Sequence, residues 1–328
     1  MSRGFEAGGE HWPLATPFRI ARGVRTQADV VTAQVSQDGH TGRGEGAPIP
    51  RYGDSVESCV EDLNALREAV EAGLDRRGLL SALKPGAARN ALDCALWDLE
   101  ARLAGSTVPA LLGLPALGPR ITAMTVGLDA PDAMGAAAAK LADFPLVKIK
   151  VNADDPAAQI AAVRAAAPEA NLIVDCNESW SMPLLDRMQD ALAQARVALL
   201  EQPLAAGQDG QLRGFKPLVP VCADESCHVE ADLERLDGLY QAVNIKLDKT
   251  GGLTAALDLL AAAKARGLTI MTGCMICTSL SIAPAFLIAA QAAFADLDGP
   301  TWLARDRDGG VVMDRGVLTP PAGALWGG

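Results

Sequence analysis

Two hydrophobic rhythms divide the chain, and they change over near residue 117. Before it, one β-rich run at 30–35 is followed by glycines at 39, 42, 44 and 46, which we read as the punctuation of a hairpin or meander. Two stretches with helical spacing come next. The first, 55–72, aligns Val56, Cys59, Val60, Leu63, Leu66 and Val70, with Asp54 or Ser55 as N-cap. The second, 87–103, is dense in Ala and Leu, and its apolar side is broad enough to be buried. This pattern predicts an α+β capping domain over 1–117, with a junction at 115–119.

From residue 121 onward, short β-type runs alternate with Ala-rich segments of helical length. The strand-like runs are 121–126, 146–150, 172–175, 198–201, 220–224, 242–246, 269–272 and 295–297. Helical segments fall at 131–141, 156–166, 184–195, 253–265 and 279–293, and the one after Asp224, at 229–236, is short. From residue 150 on, strand ends recur every 22 to 26 residues, the repeat of βα units in a closed parallel barrel. The spacing predicts a (β/α)7β TIM-like barrel over 118–305, with 306–328 returning to the capping domain. An open doubly wound sheet would gather its polar residues at one switch point. Here the polar strand ends are spread over six or seven strands.

Those ends carry the candidate chemistry. In the strand 146–151, period two puts Lys148 and Lys150 on one face and Val147, Ile149 and Val151 on the other. Two buried ammonium groups require acidic partners. Later ends supply Asp175 with Asn177, Glu201, Asp224 with Glu225, Lys246 with Asp248, and then Asp296 and Asp298. Asp175, Glu201 and Asp224 close three consecutive strands. Without a cation they would repel one another, and some would protonate. A hard divalent ion with oxygen ligands, Mg²⁺, resolves this, whereas any one of these acids alone is equally well a helix cap or a salt bridge. Lys150 and Lys246 flank the trio across a barrel mouth. Beside a cation an amine's pKa falls, and two amines on opposite sides of one carbon can remove a proton from one face and deliver it to the other. Either lysine alone is also explained by an ion pair. Lys148 is placed to bond a substrate oxygen or to depress Lys150. Asn177, Glu225 and Asp248 are read as supports for these groups.

The charge of −11 argues against nucleic-acid and anionic-membrane surfaces. The seven cysteines have no regular spacing, and Cys274–Cys277 lacks a second pair for zinc, so reduced thiols in a cytoplasmic protein fit best. Residues 1–9 show no signal-peptide core, and the run 282–290 is broken by Pro284 and too short to span a bilayer. The expected partner is a small molecule, and self-association into a homo-oligomer stays open.

The ordered motifs together carry a resemblance. They are Lys148-Ile149-Lys150, Asp175-Cys176-Asn177, Leu200-Glu201-Gln202-Pro203, Ala223-Asp224-Glu225-Ser226, Asn244-Ile245-Lys246-Leu247-Asp248 with Gly251-Gly252, and Asp296-Leu297-Asp298-Gly299-Pro300. With Ala88–Asp93 and Trp97-Asp98 in the first domain, the whole chain resembles the enolase superfamily, muconate-lactonizing subgroup, and within it the bacterial dipeptide epimerases. The resemblance implies one Mg²⁺ on Asp175, Glu201 and Asp224, holding an enediolate formed by loss of the proton α to a carboxylate. It also implies Lys150 and Lys246 as the acid–base pair, epimerisation of L-Ala-D-Glu and L-Ala-L-Glu, and a role in murein peptide degradation. Asp296 and Asp298 would bind the dipeptide's ammonium group, although Asp298 also suits a turn with Gly299 and Pro300. Segment 17–25 resembles the family's closing loop. Arg25, in preference to Arg22, would take the glutamate carboxylate. Thr125, Cys274 and Ile276 match substrate-contacting positions, the last two through backbone. No histidine stands at the seventh strand's end, so a histidine base is unsupported. Two rivals remain: a lyase or cycloisomerase of the o-succinylbenzoate synthase or muconate cycloisomerase type, and a non-catalytic metal-dependent dipeptide binder.

Overall fold

The computed structural model describes residues 3–20 and 23–328. The first domain begins with three antiparallel strands: β1 (Gly4–Ile20), β2 (Gly23–Gln37) and β3 (His40–Gly46). The run at 30–35 is thus the centre of a much longer strand. β1 has little apolar density and is held by its register with β2, from Gly4 opposite Ser36 to Ile20 opposite Gly23. Helices α1 (Val56–Ala65), α2 (Arg67–Glu71), α3 (Arg76–Ala82), α4 (Ala87–Leu103) and α5 (Val108–Leu111) follow. Ser55 caps α1 through the Ser58 N–H. The single helix expected over 55–72 is broken at Leu66, whose N–H turns back to the Leu63 carbonyl at 3.1 Å. Leu63 and Val70 are both fully buried, so the apolar spacing survives the break and conceals it.

Only Gly39 of the glycine series is a turn residue, with φ +79°. Gly42, Gly44 and Gly46 line one face of β3, and a Cβ on any of them would overlap the carbonyls of Ala95, Ala91 or Ala87 on α4. The missing side chains let helix and strand approach closely. The other side of α4 docks on the second domain. Arg89 donates to the carbonyls of Gly251 (2.9 Å) and Thr250 (2.5 Å), and Asp93 accepts from the Thr254 N–H (2.9 Å) and hydroxyl (2.6 Å).

The second domain is an eight-stranded parallel sheet of β5 (Met124–Val126), β6 (Leu146–Lys150), β7 (Asn171–Asp175), β8 (Val197–Glu201), β9 (Val221–Ala223), β10 (Ala242–Ile245), β11 (Thr269–Gly273) and β12 (Phe294–Asp296), paired in sequence order. The Ala123 N–H donates to the Ala295 carbonyl at 2.7 Å and closes the ring. Connecting helices are α6 (Pro131–Ala139), α7 (Pro156–Ala166), α8 (Met182–Gln194), the single-turn α9 (Asp232–Leu236) and α10 (Leu247–Thr250), α11 (Leu253–Ala265) and α12 (Ser279–Ala289). The run expected at 121–126 is two strands. β4 (Arg120–Ile121) pairs with β14 (Val317–Thr319), which pairs in turn with β13 (Val312–Asp314), while β5 joins the barrel. Apolar alternation does not say which partner a strand has, so the change of sheet at 122–123 leaves no periodic trace. The final residues lie against α4: the Trp326 indole N–H donates to the Cys94 carbonyl (3.0 Å) and the Gly327 N–H to Asp98 (2.7 Å). Among the described residues no helix is long and apolar enough to cross a membrane.

Candidate active site

The barrel interior is layered by the two-residue period of its strands. At its base, Ala123, Leu146, Ile173, Leu199, Cys222, Ala242 and Met271 form a buried apolar plug against Phe294. Two residues further along each strand stand Thr125, Lys148, Asp175, Glu201, Asp224, Asn244, Gly273 and Asp296. Two further still, Lys150, Lys246 and Asp298 face the mouth. The polar site is therefore the next two inward layers above an apolar floor, and that floor excludes water from below. Above it opens a cavity of about 600 Å³.

Lys150 Nζ lies 2.5 Å from Asp175 Oδ2, and Lys246 Nζ lies 2.5 Å from Asp224 Oδ2. β6 and β10 are four strands apart in a ring of eight, so the two lysines enter the cavity from opposite walls. Lys148, buried between them, contacts Asp175 Oδ2 (3.0 Å), Glu201 Oε2 (2.6 Å) and Asp296 Oδ2 (2.8 Å). As placed, Asp175, Glu201, Asp224 and Asp296 are paired with lysines, and among the described residues no three acids are drawn around one ion-sized point.

The electrostatics follow from burial and these pairs. Burial works to raise the Asp175 carboxyl, but Lys148 and Lys150 outweigh it and hold the group below the usual carboxylate range. Asp224 is likewise held low against its burial, by Lys246 and Lys249. Glu201 goes the other way: burial, then the charge of Asp175, pushes it up to about 8. Asp298 is pushed up to about 6 by burial and by Asp296. Burial alone would lower the ammonium of Lys246, yet Asp224 and Glu201 keep it above its ordinary range, and Asp175, Asp296 and Glu201 do the same for Lys148. The depressed pKa expected from the sequence is not found at Lys246, which its acidic neighbours hold above its ordinary range.

Most of the sequence candidates meet at this cavity. Asp175 and Glu201 lie beneath it, and Asp224, Glu225, Asn177, Asp296 and Asp298 border it with Thr125, Cys274, Ile276 and Arg25. Asp298 accepts from the Thr125 N–H at 2.9 Å and from the Trp302 indole at 3.3 Å, and the Asn177 amide donates to Glu225 at 3.3 Å. Ala21 and Arg22 lie outside the described residues; 17–20 end β1 and 23–25 begin β2. Asp248 departs from expectation. It faces the capping domain, where it accepts from the Ala47 N–H and the Asn90 amide, both at 2.8 Å. The extended backbone ends at Lys246, and α10 turns Asp248 away from the mouth.

Lys249 was not among the candidates. Its buried ammonium donates to Asp224 Oδ1 (2.6 Å) and to the carbonyls of Asp224 (2.5 Å), Cys227 (2.9 Å) and Asn244 (3.0 Å). It pins Asp224 and staples the loop after β9 to β10. Lys249→Met removes one of the two ammonium partners of the buried Asp224 and the donor to the Cys227 and Asn244 carbonyls, so we expect a loss of about 3–5 kcal/mol in urea unfolding. The capping domain also contributes Ile49, Pro50, Arg51 and Tyr52 to the wall. Arg51 donates to Glu178 at 2.6 Å, and the Tyr52 ring meets the His228 ring at 4.4 Å, edge to face. Nothing in the local spacing of 49–52 marks it as part of the site.

Comparison with known proteins agrees with this architecture. Residues 7–113 match the mandelate racemase / muconate lactonizing enzyme N-terminal domain, and 133–324 match the enolase C-terminal domain-like family. The chain is 47% identical over 311 residues to L-Ala-D/L-Glu epimerase of Escherichia coli K12, covering 94% of this chain and 97% of that one. It is 43% identical over 289 residues to N-acetyl-D-glutamate racemase of a Pseudoalteromonas species, covering 88% and 91%. A solved enolase family member from Agrobacterium tumefaciens, with homology to dipeptide epimerases and with bound sodium and L-Ala-L-Glu, superposes with TM-score 0.96 at 49% identity over 99% of this chain and all of that one. A dipeptide epimerase from Enterococcus faecalis complexed with Mg and L-Leu-L-Tyr gives 0.89 at 28% identity over 99% of both.

The fold is that of the enolase superfamily, a capped barrel with its polar groups at the strand ends. The chain belongs to the mandelate racemase / muconate lactonizing enzyme family and is an isomerase of its racemase and epimerase type.

Proposed function

We propose that the chain epimerises L-Ala-D-Glu and L-Ala-L-Glu at the glutamate α-carbon by 1,1-proton transfer between Lys150 and Lys246. The observation that carries this reading is that two amines enter one cavity from opposite walls, with Asp224 bordering it and Asp175 and Glu201 buried beneath it. Lys150 and Lys246 each face one side of a carbon held between them. The neutral amine takes the α-proton, and the ammonium opposite returns one to the other face.

Asp175, Glu201 and Asp224 fit a divalent cation. Glu201 Oε2 has no hydrogen-bond donor in good geometry, only the ammonium of Lys148 beside it. Mg²⁺ suits an all-oxygen set of this kind. When bound there it would supply the charge that lets a substrate carboxylate become more negative as its α-proton leaves. The neighbours complexed with Mg or sodium and a dipeptide support the same assignment.

Asp296 and Asp298 suit the dipeptide's ammonium group, since Asp296 Oδ1 is buried without a partner among the described residues. Arg25, exposed at the mouth, suits the glutamate carboxylate. On this reading the enzyme acts in murein peptide degradation in the cytoplasm, a setting that agrees with its seven free cysteines.

Asp296→Asn is expected to raise KM for L-Ala-L-Glu about ten- to hundredfold, the worth of a charged hydrogen bond. A substrate without an ammonium group, such as N-acetyl-D-glutamate, would be unaffected or favoured. Steady-state kinetics on both compounds tests whether Asp296 binds the ammonium group. The main assignment itself is tested by proton NMR in D₂O: deuterium should enter the glutamate α-position during turnover, and retention of all protium would refute it.

A further inference from the structure

We propose that Gly273 positions the base Lys246, its missing side chain being the slot through which the Lys246 stem passes. The inference rests on the two-lysine reading. In the inward layer just above the apolar plug, seven of the eight strand positions carry a polar side chain, and Gly273 on β11 is the eighth. No turn or unusual backbone calls for glycine there. Gly273 is buried at the end of β11, in its last pair with β12, opposite Asp296, and does not have a positive φ. What it does have is a crowded neighbourhood. A Cβ at Gly273 would stand 2.9 Å from Lys246 Cε, 2.9 Å from Asn244 Oδ1 and 3.0 Å from Asn244 Nδ2.

These neighbours differ in how easily they yield. Asn244 is fully buried, and its amide donates to Glu201 Oε1 at 2.8 Å. The end of the Lys246 chain borders the open cavity. An added methyl group would therefore displace the lysine first, moving Nζ away from its station by Asp224. A shift of that order at a reacting group costs up to about a hundredfold in rate. It acts on one face of the substrate carbon only, because Lys150 reaches the other face from the far wall. Gly273 is thus a positioning residue, and its signature is loss of proton transfer on one face.

The test uses the Mg²⁺-loaded full chain and follows deuterium wash-in at the glutamate α-carbon of L-Ala-L-Glu and L-Ala-D-Glu by proton NMR. Lys246→Ala identifies which epimer exchanges through Lys246. In Gly273→Ala, exchange on that face should fall about ten- to hundredfold. Exchange on the Lys150 face should stay within about twofold, with the unfolding temperature and the calorimetric Mg²⁺ affinity unchanged. In a Lys246→Ala background, adding Gly273→Ala should change nothing on the Lys150 face. An equal fall on both faces, no fall on either, or a parallel loss of Mg²⁺ affinity or of the folded state would overturn the proposal. Absence of exchange in the unsubstituted enzyme would overturn the two-lysine reading itself, and this inference with it.

Discussion

Lys150→Ala and Lys246→Ala should each abolish epimerisation, by about 10³-fold or more, while leaving a correctly folded protein. The size follows from the loss of a positioned acid–base group, worth about 10²–10⁴-fold, in a reaction where both groups are needed for inversion. The more telling expectation is asymmetric. With Lys150 gone, Lys246 can still take and return a proton on its own face, so one epimer should exchange its α-hydrogen with D₂O without inverting. With Lys246 gone, the other epimer should do so. Wash-in measured separately on L-Ala-L-Glu and L-Ala-D-Glu reads this directly. Loss of exchange from both epimers in either variant would mean that the lysines do not act on opposite faces. Each lysine faces a carboxylate at 2.5 Å, Asp175 or Asp224, so truncation also leaves an acid short of a partner, and unfolding curves should accompany the kinetics.

Removal of the divalent cation is the second large effect. Chelation should suppress α-proton exchange of both epimers together, by about 10³-fold or more, with recovery on adding Mg²⁺. Glu201→Gln should reproduce much of this loss and should not be rescued at ordinary Mg²⁺ concentrations. The substitution exchanges a carboxylate for a neutral amide in the buried trio, where the Asn244 amide already occupies Oε1 at 2.8 Å and leaves Oε2 to the Lys148 ammonium. Apo-protein stability should change little or improve, since Glu201 is the acid that burial and Asp175 push up to about 8. Calorimetric Mg²⁺ titration of Glu201→Gln against the parent separates a binding defect from a catalytic one. Full activity in thoroughly chelated enzyme would remove the cation from the account.

These groups were legible in the sequence because barrel strands are read two residues at a time. Once the apolar floor residues Leu146, Ile173, Leu199 and Cys222 are assigned inward, Lys148, Asp175, Glu201 and Asp224 follow two steps later. The same arithmetic fails at a change of geometry. Asp248 and Lys249 sit on the helical turn after β10, where alternation no longer applies. One turned toward the capping domain, and the other found acceptors on Asp224 and Cys227, some 22 to 25 residues away in sequence. Gly42, Gly44 and Gly46 suggested turns, yet they mark a helix pressed against a strand, a distinction that depends on α4 arriving from elsewhere. β1 was invisible because its residues, rich in Gly and Glu with interspersed Pro, carry no strand signal until β2 pairs with them. The wall residues Arg51 and Tyr52 belong to the site only because the capping domain docks through Arg89, Asn90 and Asp93.

The most direct test is a single turnover of protiated L-Ala-L-Glu by excess Mg²⁺-loaded enzyme in D₂O. With one amine removing the α-proton and the opposite one supplying its own, the first L-Ala-D-Glu formed should carry deuterium at the glutamate α-carbon. Product that retains the substrate's own hydrogen would mean that a single group carries the proton around one face, and would contradict the opposed arrangement of Lys150 and Lys246.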